Sequence, residues 1–390
     1  MRILIVVSHP VDRLRSIALY AEWLMHLFET HGHTVDMLGP QPVFANLWPG
    51  GAVRKYLAYL DKHLLFPSLL RVAQQRFDFV ILPDQGYAMY ARELRGVPYF
   101  VTCHDVNSIR AARGEFPQVH IGWLGRLQQR WILSGLCAAE EVVCVSQHTA
   151  TELARLGRAP ERRTAIIHNA LNYPYQPGQA LSEELLRSFG DRAGHPYLLC
   201  LGGGSWYKNR VAALRILARL AEKDGFADLS LVMAGRPLNR EMRSVIEEEK
   251  IGARVIEMVD VGAEDLEALY CNAAALLFPS LAEGFGWPVL EAQACGCPVI
   301  ASERAPMTEI AGDAAIFIDP LDPAAAAAAI VRQWGRLEEL RQLGFANLKR
   351  FECSRIEAQY LELCERILRT RKSLRQAHAP AHLTHKKSIP

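Results

Sequence analysis

The hydrophobic positions of this chain take two alternating forms. Short unbroken runs rich in Val, Ile and Leu alternate with longer stretches in which apolar residues recur every three or four positions. The first form reads as strands buried on both faces, the second as helices packed over them. Residues 2–8 open the series as a strand, closed by His9 and Pro10. Residues 16–31 follow at helical spacing, with Ile17, Tyr20, Leu24 and Phe28 on one side and Gly32 as the stop. Further strands are predicted over 34–38, 79–82, 99–103, 141–145 and 164–167. Strands alternating with helices imply a parallel sheet covered on both faces. Ligands of such sheets bind at the carboxyl ends of the strands.

The rhythm breaks over residues 174–195, where prolines and polar residues mark a linker. It restarts with strands predicted over 197–201, 229–234, 255–259, 275–278 and 298–301. The fold class is therefore α/β, with two domains of similar size facing a cleft and no close internal repeat. We expect a first domain over 1–173, the linker over 174–195 and a second domain over 196–350. A closing amphipathic helix over 351–370 and a basic tail over 371–390 complete the chain.

Composition adds little until charge is divided along the chain. Half of the 390 residues are hydrophobic and the net charge is only +2. Residues 1–173 carry 18 Lys/Arg against 14 Asp/Glu, residues 174–365 carry 19 against 28, and residues 366–390 carry seven against none. The last stretch is either a solvated end or a contact for an anionic surface such as a membrane leaflet. With basic charge concentrated only there, nucleic acid is not an expected partner. Residues 52–71 combine Arg54, Lys55, Lys62 and Arg71 with Tyr56, Leu57, Leu60, Leu64 and Leu65. Such a segment packs its apolar side on the first sheet or lies on an anionic membrane; packing is the plainer expectation. The nine cysteines, several inside apolar runs, fit a reducing cytoplasm. Cys295 and Cys297 lack a second pair at metal-site spacing. The start reads as a strand rather than a signal peptide, and no stretch approaches a membrane span.

Two segments carry chemistry. Gly202, Gly203 and Gly204 follow a predicted strand and precede Lys208 and Asn209. Glycines let backbone N–H groups approach a phosphate, and a lysine adds a point charge, although a plain turn also accounts for three glycines. The pattern is neither a Walker loop nor G-x-G-x-x-G. The second segment runs from Glu283 through Gly284, Phe285, Gly286 and Pro288 to Glu291. Pro288 suits the first position of a helix that ends near Gly296, so Gly284–Gly286 would lie at a helix N-terminus, an anion site. A carboxylate on each side can accept hydrogen bonds from the hydroxyls of two sugars flanking a diphosphate. Glu291 alone would also be explained by charge near a helix start.

The segment PSLAEGFGWPVLEAQACGCPVIAS (279–302) resembles the E-x7-E signature of glycosyltransferase family 4, the retaining group with the two-domain GT-B fold. GGGSWYKNR (202–210) is similar to the family's Lys-Asn segment and VTCHDV (101–106) to its His-Asp segment. VSQHT (145–149) and IIHNAL (166–171) match its landmarks, so the resemblance spans roughly residues 1–365. It implies two Rossmann-like domains and transfer of a sugar from a UDP- or GDP-sugar to a glycan or lipid-linked acceptor in cell-surface polysaccharide synthesis. The cysteine pattern predicts a cytoplasmic enzyme, and the basic segments add the alternative of attachment at the inner face of the membrane. Glu283 would contact donor-sugar hydroxyls and Glu291 the ribose. The backbone of Phe285 and Gly286 would hold sugar and phosphate. Lys208 would pair with the diphosphate, and His104 would face the donor sugar from the first domain. Gly203, Gly204, Asn209, Arg236 and Gly284 complete the implied donor site. The resemblance implies no cofactor and no metal, the nucleotide-sugar being a substrate. A structural histidine beside an Asp105-capped turn is the alternative for His104.

Two departures from the family pattern stand out. No arginine precedes Lys208 at short range, which leaves Arg210 or Arg236 to share the phosphate charge. The usual Gly-Gly pair after the first strand is replaced by Arg13, Leu14, Arg15 and Ser16 on the acceptor side. A sugar-nucleotide epimerase of the same fold, or an inactive nucleotide- or glycan-binding protein, are the competing readings. The first predicts product without an acceptor; the second predicts a broken donor site.

Overall fold

The computed structural model describes residues 1–12, 15–94, 96–157 and 163–377. Part of the altered Gly-Gly stretch and most of the basic tail, residues 378–390, lie outside them. The described chain forms two parallel six-stranded sheets with helices on both faces. The first contains β1 (Arg2–Val6), β2 (Thr34–Leu38), β3 (Phe79–Leu82), β4 (Tyr99–Cys103), β5 (Val142–Cys144) and β6 (Thr164–Ile166), in the order β2-β1-β3-β4-β5-β6. The second contains β7 (Tyr197–Gly202), β8 (Ser230–Gly235), β9 (Val255–Val259), β10 (Ala275–Phe278), β11 (Val299–Ser302) and β12 (Ile316–Ile318), in the order β12-β11-β10-β7-β8-β9. Eleven of the strands match the expected ones within a residue or two, and β12 was not expected.

The unbroken apolar runs become central strands because side chains on both of their faces are covered. Every residue of β3, β4, β10 and β11 is buried. In register, Ile3 lies beside Val35 and Phe79, and Leu198 beside Leu231 and Ala275. Connections reverse direction between β1 and β3 in the first sheet and between β7 and β10 in the second. A crevice opens outside the carboxyl ends of the strands at each such reversal.

The closing helix runs Cys353–Ala377, past the expected end at 370, and packs on the first domain. Ile356, Tyr360, Leu363 and Ile367 join Tyr20, Leu24, Phe28 and Phe100 in one core cluster. Arg366 donates to Glu141 at 2.8 Å and Arg371 to Glu140 at 2.6 Å. Two basic residues assigned to a free C-terminal stretch therefore anchor this helix. The chain crosses between domains twice, in the linker and before this helix.

Candidate active site

The turns after β7 and β10 meet at the reversal point of the second sheet. Gly203 and Gly204 leave open space where side chains would stand. The 3-10 turn Trp206–Lys208 swings back, and Asn209, at φ 51°, precedes helix Arg210–Ala221. The Asn209 amide donates to the carbonyls of Pro279 (3.1 Å) and Pro320 (2.9 Å). Both of its protons are committed there, so Asn209 positions this turn.

Lys208 Nζ donates to Glu283 Oε1 at 2.8 Å and lies 5.2 Å from the Phe278 ring centre. The two side chains are 19% and 10% exposed, so the pair sits in a crevice rather than in open water. The 279–286 loop is pinned by the Leu281 N–H, which donates to the Tyr207 carbonyl at 2.7 Å. Phe285 turns its ring inward onto Trp287 and Phe351, leaving only its backbone for a ligand. Gly286, at φ 107°, occupies a region closed to most side chains and caps helix Trp287–Ala294 without a side-chain bond. The helix start is thus open to an anion. Pro288 is its second residue, one place later than expected.

Glu291 lies on the buried face of that helix and accepts from the Tyr270 hydroxyl at 2.8 Å. Burial pushes its carboxyl above the usual range, against the pull of Tyr270, Asn172 and Lys208. A crevice of about 380 Å³ runs past Gly202, Gly203, Lys208, Arg236 and Pro288. Arg236 is exposed at its rim. Arg210 is buried behind Gly202 and donates to the Arg236 carbonyl at 2.7 Å.

From the first domain, His104 and Asp105 extend from β4. His104 Nε2 lies 2.9 Å from the Pro83 carbonyl, which can only accept, so Nε2 carries the proton. Burial lowers this imidazole to a pKa of about 4, leaving it neutral at pH 7. Tyr20 stands edge-on to it at 4.7 Å. Asp105 Oδ1 accepts from the Asn107 N–H at 2.8 Å, so the capped turn is present as well. The Asp105 carboxyl is raised by burial and then by Glu283, and lowered by Lys208. Gly284, next to Glu283, packs directly against the His104 carbonyl and Asp105 Cβ, which brings the Lys208–Glu283 pair up to the His104–Asp105 turn.

The domains touch tightly here. A Cβ on Gly284 would stand 1.8 Å from the His104 carbonyl oxygen. Ser146 and Thr149 hydroxyls donate to the Gly284 carbonyl at 2.6 and 3.1 Å. Glu309 reaches from the second domain to the first turn of helix Gln147–Gly157, accepting from the N–H groups of Gln147 (2.8 Å) and His148 (3.2 Å). His168 Nε2 bonds the same carboxylate at 2.9 Å.

The family model described as Glycosyltransferase Family 4 matches residues 20–173, and that described as Glycosyl transferases group 1 matches residues 182–342. The chain belongs to the family 4 glycosyltransferases. This glycosyltransferase is 27% identical to O-antigen chain mannosyltransferase B of Escherichia coli over 310 residues, 76% of its own chain and 79% of the relative. Its fold is similar to sucrose-phosphate synthase from Thermosynechococcus elongatus, with a TM-score of 0.72, 17% identity and coverage of 95% and 100% of the two chains. It is also similar to Anabaena HepE in complex with UDP and glucose, with a TM-score of 0.68, 17% identity and coverage of 94% and 99%. The glycosyltransferase thus has the GT-B architecture.

Sequence reasoning missed several residues around this enzyme's cleft. Tyr270 and Asn172 hold Glu291 from remote positions. Asp84 follows β3 at the first sheet's reversal point. Burial raises its carboxyl to about 7, although the Gly86 N–H bonds it. Its place directly after an apolar strand was the available signal. Glu309 carried none, because its partners lie more than a hundred residues away.

Proposed function

We propose that this enzyme is a retaining glycosyltransferase that moves a sugar from a UDP- or GDP-sugar to a glycan or lipid-linked acceptor in cell-surface polysaccharide synthesis. Its place in this reading is the cytoplasm, at the inner face of the membrane. The observation that carries the proposal is the Lys208–Glu283 pair at the reversal point of the second sheet, with the neighbouring Gly284 packed against the His104–Asp105 turn after β4. The name of the O-antigen relative supports the polysaccharide role.

In this reading the crevice along Gly202, Gly203 and Pro288 takes the nucleotide, with Glu291 accepting from ribose hydroxyls. The diphosphate lies against the uncapped helix at Gly286 and draws the Lys208 ammonium, with Arg236 at the rim. Positive charge there stabilises the leaving group as the glycosidic bond breaks. Glu283, released from Lys208, accepts from donor-sugar hydroxyls. Neutral His104 offers Nδ1 as an acceptor on the other side. The acceptor hydroxyl attacks from the face that the diphosphate leaves, its proton passing to the departing phosphate oxygen, so the anomeric configuration is kept. Incubation with UDP- and GDP-sugars and candidate acceptors, followed by NMR of the product anomer, tests this. An α-linked donor should give an α-linked product; a β-linked product, or turnover without acceptor, would overturn the reading.

A further inference from the structure

Half of the exposed large apolar side chains of the described chain fall within residues 43–72. Helix Gly51–Leu60 continues through a π turn, Asp61–Leu65, into helix Phe66–Ala73. Ala58, Phe66 and Leu70 face inward, as the packing expectation requires. The opposite side is also apolar: Tyr56 is 64% exposed and Leu64 62%. Trp48 is exposed just before this unit. Helix Trp123–Ala138 extends the surface with Trp123, 74% exposed, and Leu124. The two parts adjoin. The Tyr59 hydroxyl bonds Gln128 at 3.4 Å, and His63 meets Trp131 edge-on at 5.9 Å.

Charge on this face is predominantly basic: Lys62 is paired with Asp12 and Arg71 with Glu93, while Arg54, Lys55, Arg126 and Arg130 have no carboxylate partner among the described residues. Residues 43–72 contain Arg54, Lys55, Lys62 and Arg71, and their sole carboxylate, Asp61, is buried. Asp61 is taken by His9 and by the N–H groups of Phe44 and Ala45. Residues 123–138 add Arg126 and Arg130 and contain no acid. Apolar patches of this extent mark interaction sites, and Trp and Tyr are favoured where lipid meets water. A second copy of the chain would set basic face against basic face. An acidic lipid headgroup layer over an apolar interior matches both properties.

We propose that this two-part face seats the enzyme on an anionic lipid bilayer, with Trp48, Tyr56, Leu64, Trp123 and Leu124 entering the interface. The proposal rests on the membrane-side part of the function above and names the surface responsible. The same face borders a crevice of about 480 Å³ lined by Val11, Asp12, Pro49, Arg54 and Lys55, at the carboxyl end of β1. Lys62 bonds Asp12 there at 2.9 Å. Seating on this face therefore brings the first sheet's reversal point close to the bilayer, where a lipid-linked acceptor arrives.

The test is co-sedimentation of the full chain with phosphatidylcholine vesicles, with and without phosphatidylglycerol, at low and high salt. Two paired variants, Tyr56→Glu with Leu64→Glu and Trp123→Glu with Leu124→Glu, are compared with Leu186→Glu, an exposed apolar position on the linker helix Glu183–Phe189, which packs on the second domain. Wild type and the Leu186 variant should bind the anionic vesicles. High salt should weaken binding without abolishing it. Each paired variant should bind at least about tenfold more weakly, as expected for two apolar side chains kept out of lipid. Unchanged thermal unfolding, and unchanged stabilisation by UDP or GDP, would show that the variants are folded. If wild type and paired variants bind alike, this face is overturned while membrane attachment through another segment stands. If wild type binds no vesicles, both fall. If the variants instead convert a wild-type dimer to monomer without any vesicle effect, the face is a self-association surface and the proposal is wrong.

Discussion

Replacing Glu283 with Gln separates two roles of one carboxylate. In the structure it neutralises Lys208 across 2.8 Å, with both side chains mostly shielded. Unit charges about 4 Å apart at an effective dielectric near 20 interact by about 4 kcal/mol. Much of this is offset by lost hydration, leaving about 1 kcal/mol as a working net value. A diphosphate that draws Lys208 must overcome that attraction and also approach a carboxylate. Glu283→Gln should therefore leave UDP or GDP affinity unchanged or raise it by up to about tenfold. Turnover should fall by about 10²-fold or more, because the sugar loses an acceptor needed as charge develops. Lys208→Ala should weaken both nucleotide binding and turnover. Calorimetric titration of the stabilising nucleotide, with steady-state kinetics on the same preparations, reads both quantities. Parallel loss of nucleotide affinity and turnover in Glu283→Gln would refute this reasoning, as would near-wild-type turnover.

Three further outcomes follow from the domain contact and the buried acids. Gly284→Ala forces a methyl group into the His104 carbonyl, so the domains should separate, with a larger radius in solution scattering and at least about tenfold lower turnover. Glu309 is raised by burial but lowered overall by His168 and the Gln147 and His148 N–H groups. Its stabilising contact is present above the ordinary glutamate pKa and lost as pH falls through its depressed value, so acid should open the closed form. Glu309→Gln should open it already at neutral pH and flatten that acid dependence in scattering profiles. Asp84 binds its proton more tightly folded than unfolded, with a folded pKa of about 7. Stability should therefore decline as pH rises from about 4 to 7, by about 2–3 kcal/mol between pH 5 and 8. Asp84→Asn should remove that slope in urea unfolding; an unchanged slope would assign it to other groups.

The two-domain fold was legible because buried parallel strands write unbroken apolar runs, as over 79–82 and 275–278. β12 escaped because it is a three-residue edge strand after small residues, with little apolar length to mark it. The donor loop was legible through local signals: Gly286 before a helix, Pro288 inside it, and acids on both sides. Its pairing was not, since Lys208 and Glu283 are joined only by adjacent strands of a crossed-over sheet. The same holds for Tyr270 on Glu291 and for Glu309 on the Gln147 turn. Residues 52–71 show why periodicity alone is insufficient: a helix apolar on two sides does not declare which side meets the core. Trp123 and Leu124 gave no cue that they continue its outer face, because only the tertiary fold brings the two helices together.

The position of a bound nucleotide decides the donor-site assignment. Crystals of the full chain soaked with UDP or GDP, whichever raises thermal stability more, would locate it. The diphosphate should lie between Lys208 and the Gly286 helix start, with ribose hydroxyls at Glu291 and the base beside Arg236. A nucleotide found instead at the carboxyl ends of β1 and β3, near Asp84, would contradict this assignment.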